Sequence, residues 1–136
     1  MSDAPPLRVA VVGASAGLGR CIGMGLANEG VRVAFLARRR DRLVNAAKEA
    51  GDGALPVACD VTDGAACRRA IEEVVDAFGG LDALVYTTGV GLLSPLADVD
   101  GEQWAKLFAT NVTGASLITA AAAPHLAAAA LSLIHI

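Results

Sequence analysis

The sequence predicts an α/β fold built on a doubly wound parallel sheet, and three features of the 136-residue chain carry that prediction. Short, continuous apolar runs alternate with segments of helical periodicity. The runs are too short for helices and lack a polar side, as strands covered on both faces require. Hydrophobic residues make up 54% of the chain but aromatics only 4%, so Ala, Val and Leu supply most of the apolar surface. Strict alternation of strand and helix implies parallel pairing, because each helix is the crossover that returns the chain to the same end of the sheet.

The elements follow in order. "RVAVV" (8–12) reads as the first strand. A glycine-rich turn then opens a helix that runs to about Asn28 and stops at Gly30. "VRVAFLA" (31–37) is the second strand. The next helix aligns Leu43, Ala46, Ala47 and Ala50 on one face and ends at Gly51. "LPVAC" (55–59) is the third strand, and Asp63 can cap a helix with the stripe Ile71, Val74, Val75 and Phe78. "ALVY" (83–86) is the fourth strand. A loop through Pro95 leads to a long helix from near Asp100 to about Ala123. The expected strand order is 3-2-1-4, with the edge of strand four uncovered.

Composition excludes several functions. A net charge of −3 is too slight for a nucleic-acid or acidic-lipid partner. Cys21, Cys59 and Cys67 are odd in number and lack a C-x-x-C spacing, so neither a zinc site nor a disulfide framework is expected. Reduced thiols and a cytoplasmic setting follow. The opening "MSDAPPLRVAVVG" has no basic segment followed by a long apolar stretch, and no signal peptide is expected. From Gly114 to Ile136 there is no charged residue, but Pro124 and His125 interrupt the stretch and alanine contributes little insertion energy. No membrane span is expected.

"VVGASAGLGR" (11–20) is the segment with chemical content. Gly13 permits the turn out of the strand. Gly17 has no side chain where a pyrophosphate would approach, and Gly19 lets the helix lie close to the sheet. The helix then aims its free N–H groups and positive dipole end at that phosphate. Ser15 adds a hydroxyl donor, and Ala16 and Leu18 complete the loop. The spacing G-x-x-x-G-x-G, set after a strand and before a helix, resembles the short-chain dehydrogenase/reductase family. That family usually begins the stretch with Thr-Gly where this chain has Val12-Gly13. The likeness extends over most of residues 7 to 126 and implies an NAD(P)-binding domain of Rossmann type over 1–130.

NAD-preferring folds place an acidic residue at the end of the second strand. Here that position is Ala37, followed by Arg38, Arg39, Arg40, Asp41 and Arg42. Four arginines in the first turn of a helix repel one another and face the positive end of its dipole. A bound dianion reverses that balance, so the 2′-phosphate of NADP is the expected ligand rather than NAD. The resemblance makes Arg38 the first choice and Arg39 the second. Ala16 stands where some NADP-dependent relatives carry another basic residue.

The resemblance also implies that Asp60 accepts a hydrogen bond from the adenine amino group and that Val61 packs on the ring. After the fourth strand the family usually has Asn-Asn-Ala-Gly, whereas this chain has Tyr86-Thr87-Thr88-Gly89. Gly89 matches and lets the backbone approach the nicotinamide ribose. Thr87 and Thr88 replace groups that stabilise the sheet or touch the cofactor. "FATNVTGA" (108–115) resembles the helix segment whose asparagine, here Asn111, is catalytic through a water that passes protons onward. Trp104 and Phe108, one turn apart, read as core or subunit interface.

Carbonyl reduction by hydride transfer needs an acid to protonate the developing alkoxide and a donor to orient the carbonyl. The family uses a serine and a Tyr-x-x-x-Lys pair. The single tyrosine here, Tyr86, has Val90 four residues later, and the two lysines are Lys48 and Lys106. Residues 131–136, "LSLIHI", coincide with the in-frame translation of a transposase-end adapter used in sequencing libraries, and are read as a non-native tail. The expectation is the cofactor half of an NADP-preferring reductase or dehydrogenase acting on a carbonyl or secondary alcohol. The full-length protein is expected to be a homo-oligomer, and this piece inactive alone. The rival is a non-catalytic dinucleotide-binding sensor of the same fold. A methyltransferase on a similar fold accounts for neither the arginines nor Asn111.

Overall fold

The structure, a computed structural model, describes residues 4–129 and the backbone of 133–135. The first strand, β1 (Arg8–Val12), lies at the centre of the sheet. It pairs in parallel with β2 (Arg32–Ala37) on one side and β4 (Ala83–Tyr86) on the other. Beyond β2 lies β3 (Ala54–Ala58), where Pro56 is tolerated because an edge strand has one side without a ladder.

Each central strand divides its side chains between the two faces. Val9, Val11, Val33 and Phe35 enter one apolar cluster with Leu43 and Ala46. The helices α1 (Gly17–Asn28) and α2 (Arg40–Ala50) cover that face. Ala10, Val12, Ala34 and Leu36 enter the other cluster. There they meet Ile71, Val74 and Phe78 of α3 (Gly64–Phe78), together with Ile118 and Leu126 of the last helix. The predicted stripe on α3 holds, with Val75 at its margin. Asp63 caps α3 as expected, accepting from the N–H groups of Ala65 and Ala66 at 2.9 and 3.2 Å.

Four findings differ from the sequence reading. The sheet order is β3-β2-β1-β4 as expected, but the edge of β4 is not bare. A short strand, β5 (Leu133–His135), pairs with it in parallel, bringing the backbone of Ile134 opposite Val85. An unpaired edge offers a row of backbone donors and acceptors, and a short apolar segment satisfies them. Within the segment read as a tail, 131, 132 and 136 lie outside the described residues.

The long helix is in three parts: α4 (Gly101–Phe108), a wide π turn (Ala109–Gly114), and α5 (Ala115–Ala128). It continues through Pro124 to Ala128, because the surrounding alanines favour helix strongly enough to carry one missing backbone donor. Asp100 and Gln103 form a reciprocal cap at its start.

The arginines do not all enter a helix. Arg38 precedes α2 and Arg39 is its N-cap, so only Arg40 and Arg42 sit in the first turn, beside Asp41. Trp104 and Phe108 are not core. They are 43% and 55% exposed on the outer side of α4, with ring centroids 6.2 Å apart. Their stripe continues to Val112, which is 55% exposed.

Candidate functional site

The carboxyl ends of β1, β2, β3 and β4 open into one cleft. Such a cleft arises where neighbouring crossovers leave the central strand in opposite directions, here between β1 and β4. The cleft is lined by Gly13, Ser15, Ala16, Arg38, Arg39, Asp60, Val61, Thr87, Thr88 and Gly89, all predicted from the sequence. Val12, Ala37, Cys59, Thr62, Val90 and Thr110 complete the wall. Gly17, Leu18 and Gly19 form the first turn of α1 beside it.

The glycine turn is held from below. The N–H groups of Gly13 and Ala14 both donate to the Leu36 carbonyl, at 2.8 and 3.0 Å. Gly13 has φ +88°, and a Cβ there would come within 2.8 Å of the hydroxyl oxygens of Thr87 and Thr88. At Gly19 a Cβ would collide with the Gly13 carbonyl and the Thr87 hydroxyl, as close helix–sheet contact requires. Gly17 has φ +56° and a Cβ there would meet no atom within 4 Å. Gly13 thus permits the turn and Gly19 the close helix contact, while Gly17 faces open space.

The amino end of α1 has no side-chain cap. Its N-cap is Ala16 in extended conformation, and no acidic residue occupies the first turn. By contrast, aspartates cap α3 and α4. An uncapped amino end keeps its N–H groups and positive dipole available to an anion. Ser15 is half-buried, and its hydroxyl has no partner among the described residues.

Arg38 and Arg39 are exposed at the cleft and form no ion pair among the described residues. Asp60 faces the same space. One of its carboxylate oxygens, Oδ1, accepts from both the N–H and the hydroxyl of Thr62, at 3.0 and 2.7 Å. Those hydrogen bonds, with a smaller contribution from the Arg38 charge, hold the Asp60 carboxyl below the usual carboxylate range. Thr62 was absent from the sequence reading. The Asp-x-Thr spacing, a common side-chain-to-backbone turn, was the available signal.

Val61 is only partly available for the ring contact the resemblance implies. It is 5% exposed and belongs to the core, with its Cγ2 tight against the helix backbone at Gly114. Cys59 lines the cleft, and burial pushes its thiol up to about 12, so it stays protonated at neutral pH.

The altered motif after β4 is well held. Thr87 donates from its hydroxyl to the Val12 carbonyl at 2.7 Å and from its N–H to the same oxygen at 2.9 Å. Asn111 lies outside the cleft lining and faces a neighbouring groove with Tyr86. It does not face away into solvent. Its Oδ1 accepts from the Val90 N–H and its Nδ2 donates to the Val90 carbonyl, both at 2.8 Å.

A four-strand parallel core with a glycine turn, an uncapped helix and a cleft at the strand ends defines a nucleotide-binding class of α/β domain. The model of the short chain dehydrogenase family matches residues 8–134, and the chain belongs to that family. A short chain dehydrogenase of Pseudocercospora fijiensis is 35% identical over 119 residues, covering 84% of this chain and 38% of that protein. A sorbitol dehydrogenase of Cereibacter sphaeroides is 34% identical over 104 residues, covering 76% of this chain and 41% of its own length. The crystal structure of the F189W actinorhodin polyketide ketoreductase with NADPH superposes with a TM-score of 0.88 at 27% identity. It covers 96% of this chain and 52% of that one. The chain thus spans about half the length, or less, of these relatives.

Among the described residues no helix is long and apolar enough to cross a membrane. No group of His, Cys, Asp or Glu among them could hold a metal ion.

Proposed function

We propose that the chain is the cofactor-binding part of an NADP-preferring oxidoreductase that moves a hydride between nicotinamide and a carbonyl or secondary alcohol. One observation carries the reading: the uncapped amino end of α1 and the guanidinium groups of Arg38 and Arg39, unpaired among the described residues, share a single cleft. That donor set fits a dinucleotide bearing a further phosphate, since two separate cationic centres meet two separate anionic groups. The NADPH in the actinorhodin ketoreductase structure supports the same reading.

In this reading the first-turn N–H groups of α1 and the Ser15 hydroxyl bind the pyrophosphate, and Gly17 leaves room for it. Arg38, with Arg39 behind it, grips the 2′-phosphate through charge-assisted hydrogen bonds. Asp60, oriented by Thr62, accepts from the adenine amino group, and the exposed edge of Val61 bounds the ring. Thr87, Thr88 and Gly89 support the nicotinamide ribose mainly through backbone. Asn111 is the catalytic residue here, holding a water for proton transfer. NADPH supplies the hydride.

Tyr86 is unsuited to be the proton donor. It is 1% exposed, and burial raises its phenol to about 12. The 136-residue chain is therefore expected to bind cofactor without turning over a ketone. The reading also includes a small-molecule substrate, a cytoplasmic setting and a homo-oligomeric parent, with no nucleic-acid or membrane partner. The exposed Trp104, Phe108 and Val112 stripe is the candidate subunit face. The rival reading, a non-catalytic sensor, rests on the altered Thr87-Thr88 pair. The Thr87 hydroxyl on the Val12 carbonyl weakens that ground, because the substituted side chain still ties the strands together.

Titration calorimetry with NADPH and NADH tests the proposal. NADPH should bind more tightly than NADH, and Arg38→Ala should erase the difference. Uptake of neither coenzyme, or a preference for NADH, overturns it.

A further inference from the structure

Tyr86 closes β4 at the position where the family pattern has the first of its two asparagines. Its hydroxyl donates to the Thr110 carbonyl at 2.6 Å. Thr110 belongs to the π turn Ala109–Gly114, where the helix ladder widens. Such turns are uncommon, and they persist where neighbouring structure satisfies the displaced backbone groups. The next residue is Asn111, with its two hydrogen bonds to Val90.

Two successive residues of one wide turn are thus tied to the two ends of one short segment. Tyr86 holds Thr110, Asn111 holds Val90, and between Tyr86 and Val90 lie the cleft residues Thr87, Thr88 and Gly89. Gly114, in the same wide turn, also lies close to the phenol. A Cβ at Gly114 would lie 3.1 Å from the Tyr86 hydroxyl oxygen and 2.8 Å from Val61 Cγ2. A side chain at Gly114 would therefore press on Val61 and crowd the phenol.

We infer that Tyr86 is a positioning residue: its hydroxyl on the Thr110 carbonyl sets the wide turn in the register that brings Asn111 onto Val90. The relevance to catalysis rests on the proposed role of Asn111, but the positioning itself does not. Burial of the phenol keeps its donor hydrogen in place across the neutral range.

The test is Tyr86→Phe in the ¹⁵N-labelled 136-residue chain, which removes the hydroxyl and keeps the ring. The Val90 backbone amide and the Asn111 side-chain amide should shift and exchange with solvent about tenfold faster, as loss of one hydrogen bond implies, while β1 amides stay unchanged. NADPH should bind about fivefold more weakly with 2′,5′-ADP unaffected, because the change lies at the nicotinamide end. Unchanged Val90 and Asn111 signals in the folded variant overturn the inference. Equal weakening of both ligands also overturns it, since that marks a general loss of stability.

Should the phenylalanine variant not fold, the chain can be made with 3-fluorotyrosine, whose phenol ionises at lower pH. Tyr86 is the single tyrosine, so its titration is unambiguous. The Asn111 signals should then move with the phenol's midpoint, and indifference to it overturns the inference. If the unaltered chain takes up no NADPH, the cofactor reading fails while the amide signals still decide the role of Tyr86.

Discussion

The hydroxyl of Thr87 donates to the Val12 carbonyl at 2.7 Å, tying the ends of two neighbouring parallel strands at the floor of the cleft. Thr87→Val keeps the shape but removes the donor, although the backbone N–H still reaches the same oxygen. The expected cost is about 1 kcal/mol, read as a lower urea midpoint, with Thr87→Ser close to unchanged. Equal stability of the valine variant would show that the backbone contact alone suffices.

The glycines separate by mechanism. Gly19→Ala drives a methyl into the Gly13 carbonyl and the Thr87 hydroxyl, so roughly 1–3 kcal/mol of stability should be lost along with cofactor binding. Gly17→Ala meets open space and suffers only left-handed strain, about 1 kcal/mol. Thermal unfolding of the two variants should rank Gly19→Ala as the more damaged.

Arg38→Ala should weaken NADPH by about tenfold or more while leaving NADH nearly unchanged, since one guanidinium–phosphate contact is a charge-assisted pair. Arg39→Ala should have a smaller effect. The NADPH advantage should shrink as salt is raised, because the pair lies at an exposed cleft mouth. Binding isotherms at two ionic strengths give both answers.

Acid sensitivity should arise at the opposite end of β1. Arg8 donates from Nε and a terminal nitrogen to Asp82, at 2.9 and 2.8 Å, and its own N–H also reaches that carboxylate. These bonds hold the Asp82 carboxyl below its usual range. A depressed folded pKa contributes stability above the unfolded value of about 3.9, and that contribution is lost as pH falls through the folded value. Urea midpoints should therefore hold from neutrality to near pH 4 and then drop, as estimated from the unfolded carboxyl. In Asp82→Asn the neutral-pH midpoint should be lower, by an amount near 1–3 kcal/mol, and this part of the acid limb should vanish. Parallel pH profiles for the two proteins would show that the pair contributes nothing.

Much of the fold was legible because the strands are covered on both faces. Runs such as "RVAVV" and "ALVY" must then be apolar throughout, and the observed bounds of β1 and β4 coincide with them. Asp63 was legible as a cap for a local reason, its distance of two and three residues from the N–H groups it accepts. Gly13 and Arg38 were legible because each sits directly after a strand, where a parallel sheet gathers such residues, whereas Asp60 and Gly89 were legible through the family resemblance. Val90 and Thr110 were not, since their partners Asn111 and Tyr86 lie 21 and 24 residues away. The exposure of Trp104 and Phe108 was also hidden. Aromatic rings at helical spacing look alike whether they enter the core or wait on the surface.

Local physics in the chain itself thus settled the alternation of elements, the glycine turn and the cations beside it, because apolar periodicity and backbone freedom act over a few residues. Three-dimensional packing alone decided that the helix widens at Ala109–Gly114, that Asn111 seizes Val90, and that 133–135 line the edge of β4. Those outcomes depend on hydrogen-bonding groups left unmatched by distant elements, and no local pattern records which distant group will come to meet them.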